Sequence, residues 1–327
     1  MEKVSVIIPV YNRRGLIGRC LDSVFRQTWR PVELIVVDNG SDDGTFEFVS
    51  EWSSSHISPD FSIRVLVEPK GGACHARNRG LYASTGKFCM FFDSDDEMRP
   101  CLIEKGVLGF RRNPDAKVVC WRCEIHQLDG TVRIPPFSTV RPMENHLVHT
   151  LLRTQGYMIR GSVFRKTGCW DPGLRCWNDL ELGVRIILSV VEDKESGDGK
   201  THIAGIPEVL VDIYSQKDSI TGTAFSLKAG EWEKSLEKIE EDIQMAYLTS
   251  ETKKYFMNMI AYKRMILAAS YQKEGRPELA SGLLDKVIGK GGLSFFQKTI
   301  LKILFRYTAS GGRGAWHAAR LFFTAPY

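Results

Sequence analysis

No apolar run in this chain of 327 residues approaches the ~18 that a helix needs to cross a bilayer, so a membrane-spanning protein is not expected. Proline (13) and glycine (29) are too sparse for a collagen-like or disordered chain. Acidic residues are missing from 286–320, where Lys286, Lys290, Lys298, Lys302, Arg306, Arg313 and Arg320 stand. The formal charge of +5 comes from that stretch, since 37 basic and 39 acidic residues are left elsewhere. A near-neutral body with a basic tail is not the footprint of a nucleic-acid binder, and none is expected as a partner. Both common phosphate-loop signatures, GxxxxGK[ST] and GxGxxG, are absent. The opening MEKVSVIIPVYN lacks a small-residue cleavage site and reads as a strand rather than a leader. A cytoplasmic location and eight reduced cysteines follow as expectations. Cys120 and Cys123 form a CxxC that Cys169 and Cys176 could complete as a zinc set, but VVCWRCEI reads as a strand, where residues three apart face opposite sides. Core thiols are the expectation.

What is present is ordinary for a globular protein: 43% hydrophobic and 25% charged residues, enough for one large core or two small ones. Through residue 125 the pattern alternates. Apolar β-rich runs at 3–10, 32–37, 63–67 and 88–92 are separated by amphipathic stretches at 15–27, 44–52 and 73–85. That spacing predicts a largely parallel sheet with helices on both faces. Beyond it, helices are expected at 99–111, 142–154 and 179–191, a hairpin at 117–127 and 131–134 around Asp129-Gly130, and a strand at 207–214. From 224 onward the periodicity is only helical. Trp232, Leu236, Ile239 and Ile243 make one stripe, and helices are expected at 250–273, 277–288, 293–307 and 312–323. Two domains are therefore expected, 1–223 and 224–327.

Ligands of open α/β sheets bind outside the carboxyl ends of the strands. Three polar segments stand at such ends: Pro9-Val10-Tyr11-Asn12, then Asp38 to Thr45, then Asp93-Ser94-Asp95-Asp96. Three carboxylates within four residues repel one another, and a hard divalent cation would join them. The stretch Lys70 to Gly80 is a glycine-rich loop running into a helix, with Arg77 and Arg79 at the helix start, one facing a diphosphate and the other the surface.

Together these segments resemble the family 2 glycosyltransferases. The matching stretches are VSVIIPVYN (4–12), ELIVVDNGSDDGT (33–45), GGACHARNRGLYASTGKFCMFFDSDD (71–96) and GCWDPGLRCWNDLELGVRI (168–186), and the likeness extends over roughly residues 3–222. The resemblance implies a GT-A fold, a Rossmann-like mixed sheet flanked by helices, here followed by an all-helical C-terminal region. It implies a nucleotide-sugar donor, with a UDP-sugar as first guess, Mn2+ or Mg2+ as cofactor, and inversion at the anomeric carbon. Carried over by position, Pro9, Val10 and Tyr11 line the nucleotide pocket, Asp38 or Asn39 meets the base, and Arg77 approaches the nucleotide. Asp93 and Asp95 form the DxD pair, with Asp95 first as metal ligand and Asp93 and Asp96 beside it. Asp179 is the general base, with Glu181 as the other candidate. The chain departs from the family pattern at Asn39 and Asn178, where acidic residues are usual, and at Tyr214 and Gln216, where many relatives carry an Arg and a His. An amide at 39 both accepts and donates, which leaves the base open.

The acceptor is expected to be a hydroxyl of a glycan or a lipid-linked sugar, in polysaccharide or cell-surface glycan synthesis. Two other readings stay open. A sugar nucleotidyltransferase would carry a GxGxR loop after its first strand, which is absent. A lapsed transferase that only binds nucleotide or glycan fits the departures at Asn39, Asn178 and Gln216. Phe296, Ile300, Ile303 or Leu304 and Tyr307 make an apolar stripe, and Lys298, Lys302 and Arg306 recur every four residues on the other face. Peripheral contact of residues 290–327 with an anionic membrane at its inner face, or a helix that closes the C-terminal bundle, both suit that pattern.

Overall fold

A computed structural model describes residues 2–191, 202–216, 224–289 and 293–319. In chain order the first unit holds β1 (Val4–Val10), α1 (Ile17–Phe25), β2 (Val32–Asp38), α2 (Thr45–Ser55), β3 (Phe61–Val67), α3 (Ala73–Ala83), β4 (Phe88–Phe91), β5 (Glu97–Met98), α4 (Leu102–Arg112), β6 (Val118–His126), β7 (Val132–Arg133), α5 (Pro142–His149), β8 (Tyr157–Arg160), α6 (Phe164–Thr167), α7 (Asn178–Val191) and β9 (Ile203–Tyr214). These form one mixed sheet in the order β3-β2-β1-β4-β8-β6-β9-β5, with β7 beside β6. β1 to β4 are parallel, in the register Val10 to Asp38 and Ile7 to Phe91. β8 runs antiparallel to both β4 and β6.

Every residue of β1, β2 and β4 is buried, as near-continuous apolar runs demand of a sheet covered on both faces. α1 sends Ile17, Cys20, Leu21 and Val24 into the same core. Close approach of α3 to the sheet depends on Gly80, where a Cβ would lie 2.4 Å from Ile7 Cγ2. That approach brings Arg77, one turn earlier, over the strand ends.

The structure adds elements that the periodicity misses. Residues 150–154, read as helix, lie beyond the end of α5, and the short β8 follows them. β5 is a two-residue strand, too short to leave a pattern, and β9 begins four residues before the expected 207. Cys120 and Cys123 are buried in β6, where burial pushes the Cys123 thiol up to about 12.

A second compact unit groups His146–Val148 with the chain from Lys217 onward. It holds α8 (Ala229–Met245), α9 (Ser250–Lys273), α10 (Pro277–Gly289), α11 (Phe295–Ala309) and α12 (Ala315–Ala319). The expected stripe Trp232, Leu236, Ile239 and Ile243 is buried throughout, and Arg264 pairs with Glu240 inside the bundle. Residues 290–292 and 320–327, part of the expected membrane segment, lie outside the described residues, as do 320–323 of the last expected helix. No helix among the described residues is long and apolar enough to cross a membrane.

Candidate active site

The sheet order sets β2, β1 and β4 side by side, so their three polar carboxyl ends meet at one edge. Pro9 and Val10 are buried inside β1, while Tyr11 just beyond it is 56% exposed. Asn12 turns the chain with φ 50°, a left-handed conformation that Asn tolerates. It is stitched to the neighbouring strand end: its backbone N–H donates to Ser41 Oγ and its side chain exchanges hydrogen bonds with Asp42. Asp38 accepts the N–H groups of Gly40 and Ser41 on Oδ2, and its buried Oδ1 has no partner. Asn39 spends its side chain elsewhere. Its amide nitrogen donates to the carbonyls of Glu68 and Lys70, and its oxygen accepts from Gly72 N–H. The residue that departs from the family pattern is thus a latch on the loop before α3.

The acidic turn after β4 is not a uniform cluster. Asp93 is engaged on both oxygens, by Arg77 Nη2 at 2.8 Å and by Gln155 Nε2 at 2.8 Å. Asp96 is 1% exposed; Tyr214 N–H donates to Oδ1 at 2.9 Å and Gln155 to Oδ2. Burial, with Asp93 and Asp95 close by, raises the Asp96 carboxyl well above the usual carboxylate range. Asp95 differs from both. Its carboxylate takes no hydrogen bond from another described residue, and its nearest cation is Arg13 Nε at 3.9 Å. Burial and the charge of Asp93 raise its pKa. An oxygen donor not fully desolvated and held short of cations fits a hard divalent ion. Of the three carboxylates, Asp95 alone has oxygens left to give.

Arg77 joins this turn to the start of α7. It is 6% exposed, bridges Asp93 to Asn178 Oδ1 (3.4 Å), and its guanidinium lies 4.4 Å from the centre of the Trp170 ring. Arg79 points to solvent. Asp179 sits in the first turn of α7, where the helix dipole favours an anion, and Leu180 N–H donates to its Oδ1. The helix begins at Asn178, one residue before the expected 179, after Trp177 at φ 46°. Burial raises the Asp179 pKa, and Arg77 and Arg153 partly offset it. Glu181, the other candidate base, is fully buried and both its oxygens are held by Arg185.

Several participants left no clear sequence signal. Gln155, bridging Asp93 and Asp96, stands one residue past the helix expected at 142–154. Tyr214 is sandwiched between the Arg19 guanidinium at 3.7 Å and the His126 ring at 4.7 Å. Arg19 Nη2 also donates to the Asp95 carbonyl. Behind Tyr214, Glu124, His126 and Asp212 are close enough to share a cation, but Arg99 already holds Asp212 with two bonds of 3.0 Å and reaches Glu124 at 3.6 Å. Only the long-range pairing of β6 with β9 assembles this group.

Comparison with known proteins agrees with this geometry. Residues 5–165 match the model of glycosyl transferase family 2. The uncharacterized glycosyltransferase YibD of Escherichia coli K12 is 37% identical over 103 residues, which is 32% of this chain and 29% of that protein, so the match spans less than a third of the relative's length. S. aureus TarS 1-349, in a structure with UDP-GlcNAc, superposes with a TM-score of 0.67 at 17% identity, over 94% of this chain and 87% of that one. The mannosyltransferase PcManGT from Pyrobaculum calidifontis, in complex with GDP-Man and Mn2+, gives 0.61 at 18% identity, over 98% and 86%. At such identities the two structures speak for the fold, and the GT-A architecture is the one observed. Over residues 5–165 the chain is thus similar to glycosyl transferase family 2.

Proposed function

We propose that the protein is an inverting glycosyltransferase that moves a sugar from a nucleoside-diphosphate donor to a hydroxyl of a glycan or lipid-linked acceptor. The observation that carries this reading is the meeting of three strand ends at one edge, with Asp95 uncommitted and Arg77 tying the acidic turn to the helix that presents Asp179. Tyr11 and Asp38 bound the nucleotide end of the site. A UDP-sugar remains the first donor to test, with a GDP-sugar next, because the solved structures of similar fold were obtained with each. Asn39 does not decide between them, since its amide is committed to the loop.

Asp95 would hold Mn2+ or Mg2+, while Asp93, committed to Arg77 and Gln155, and Asp96, committed to Gln155 and the Tyr214 N–H, brace the turn around it. A bound divalent ion would supply Lewis-acid stabilisation of the leaving diphosphate. Arg13, Arg19 and Arg77 add fixed positive charge at the same edge. Asp179 takes the proton from the acceptor hydroxyl as it attacks. Burial raises its pKa, which makes its carboxylate a stronger base. Attack from the side opposite the leaving group inverts the anomeric centre.

The test is release of nucleoside diphosphate from a panel of UDP- and GDP-sugars with Mn2+, alongside thermal shift for each donor. One donor should both stabilise the chain and be consumed in a metal-dependent way. A panel in which no donor stabilises it and none is consumed would remove this reading; stabilisation without turnover would favour a lapsed binding protein.

A further inference from the structure

α11 divides its apolar residues between two faces. Leu301 and Leu304 are buried against the rest of the helical unit, so the helix does close that bundle. The opposite side is not a polar face. Phe295 is 87% exposed, Ile303 56% and Tyr307 47%. Lys302 and Arg306 stand on this same outward side, one helical turn apart, with Thr299 between Phe295 and Ile303. The expected separation of apolar and basic faces is therefore not what forms: the outward stripe interleaves them. The helix is firmly started, by a capping box between Ser294 and Gln297. Tyr307 is fixed as well, its hydroxyl donating to the Arg313 carbonyl at 2.8 Å while its ring lies over Gly312.

A rigid stripe of aromatic and aliphatic groups interleaved with cations costs free energy in water unless something covers it. Charge narrows what that can be. From Lys286 to the end of the chain there is no acidic residue. A second copy of this surface would bring like charges together, which disfavours a symmetric dimer here. An anionic bilayer satisfies both components, since apolar side chains enter the acyl boundary while Lys and Arg meet lipid phosphates. We propose that the outward face of α11, namely Phe295, Lys302, Ile303, Arg306 and Tyr307, is a docking surface for an anionic membrane. This deepens the reading of a lipid-linked acceptor and rests on it for its purpose.

Flotation of the full chain with vesicles tests the proposal without donor or metal. Vesicles of phosphatidylcholine mixed with phosphatidylglycerol should carry the chain upward, and pure phosphatidylcholine should not. Lys302→Glu with Arg306→Glu should lower partitioning at least roughly 25-fold, since each cation near such a surface contributes roughly five-fold. Phe295→Ser with Ile303→Ser should lower it about ten-fold or more. All four positions are exposed, so the melting temperature should not move, and equal melting curves keep the comparison fair. A wild-type chain that stays at the bottom of the gradient overturns the proposal, as does flotation that survives both double variants. Binding of these residues to an RNA or DNA oligomer in place of vesicles, or a dimer in sedimentation that the charge reversal abolishes, would assign the face to another partner and overturn it too. Flotation with no donor turnover would leave this proposal standing and count against the transferase reading; turnover of donor with a soluble acceptor and no flotation would do the reverse.

Discussion

At the amino end of β1 and β2, Glu33 is 4% exposed and accepts from Ser5 Oγ (2.6 Å), Thr85 N–H (2.8 Å) and Thr85 Oγ1 (3.1 Å). At the carboxyl end of the same strands, Asp38 Oδ1, Arg77 Nε and Arg19 Nε are buried without partners, and Asp95 takes no hydrogen bond from another described residue. Both ends belong to one sheet and one core. A buried carboxylate is tolerated only when its charge is met by donors, and the amino end meets that condition within the chain. The carboxyl end leaves it unmet, with carboxyl groups pushed upward by burial and by one another. A saturated carboxylate holds the fold together. An unsaturated one, beside cations and at a ligand-accessible edge, marks where binding supplies what folding did not.

The sharpest way to break this contrast is at Asp179. Asp179→Asn should lower transfer 10²–10⁴-fold, the range of a lost general base, on the order that a single proton acceptor contributes. Because burial disfavours its charged form, the variant should melt no lower than the parent at neutral pH. The parent should also lose rate as pH falls through the folded-state pKa of Asp179, so the acid limb of the pH–rate profile should lie above the ordinary Asp value of about 3.9. Full turnover in the variant would remove Asp179 from the reaction.

Asp95→Asn comes next. It should lower metal-dependent transfer by at least roughly a hundred-fold. It should also abolish the rise in melting temperature that Mn2+ with nucleoside diphosphate gives the parent. Without metal the variant should be at least as stable, since it relieves repulsion with Asp93. An unchanged metal-induced shift would place the ion elsewhere.

How far the sequence disclosed these two ends depends on the range over which each was assembled. The strand ends at 9–12, 38–45 and 93–96 announce themselves because local runs of apolar residues stop there, and parallel order alone brings them together. Arg77 was recognisable from the glycine-rich loop ahead of it, and Asp179 from the 168–186 stretch. Gln155 and Tyr214 were not. Gln155 acts from a turn between elements with no periodicity, and Tyr214 gains its role only when β9 pairs with β6, almost ninety residues away in the register His126 to Tyr214. The division of labour within the acidic turn was equally hidden. Composition shows three equivalent carboxylates, and only the placement of Gln155, Arg77 and the Tyr214 N–H commits Asp93 and Asp96 and spares Asp95. The part Asn39 plays was hidden as well: the resemblance implies a place near the base, and only the geometry shows its amide latching the loop before α3.

At the amino end the contrast predicts a loss of stability without a loss of chemistry. Glu33→Gln replaces an acceptor by a group whose NH2 would face Ser5 and Thr85 donors. The cost should be about 2–3 kcal/mol, read as a lower midpoint in urea with unchanged slope. The rate per folded molecule should not change. A variant with full stability and impaired transfer would contradict the division between the two ends.

The smallest effect is expected where the two roles overlap, at Tyr214. Its N–H supports Asp96, but that is backbone and survives any substitution except proline. Its ring contributes only the sandwich between Arg19 and His126, and its hydroxyl makes one long contact to Glu97 at 3.5 Å. Tyr214→Phe keeps the ring and should be nearly silent. Tyr214→Ala removes both stacking partners' platform and should cost about 1 kcal/mol in stability. It should also free Arg19 from its place beside Asp95, so transfer should fall about five-fold, through kcat more than KM, if Arg19 acts on charge that develops in the leaving group. Equal losses in the Phe and Ala variants would shift the role from the ring to the hydroxyl. A KM effect alone would place Arg19 in ground-state binding of the donor and set it apart from Asp95.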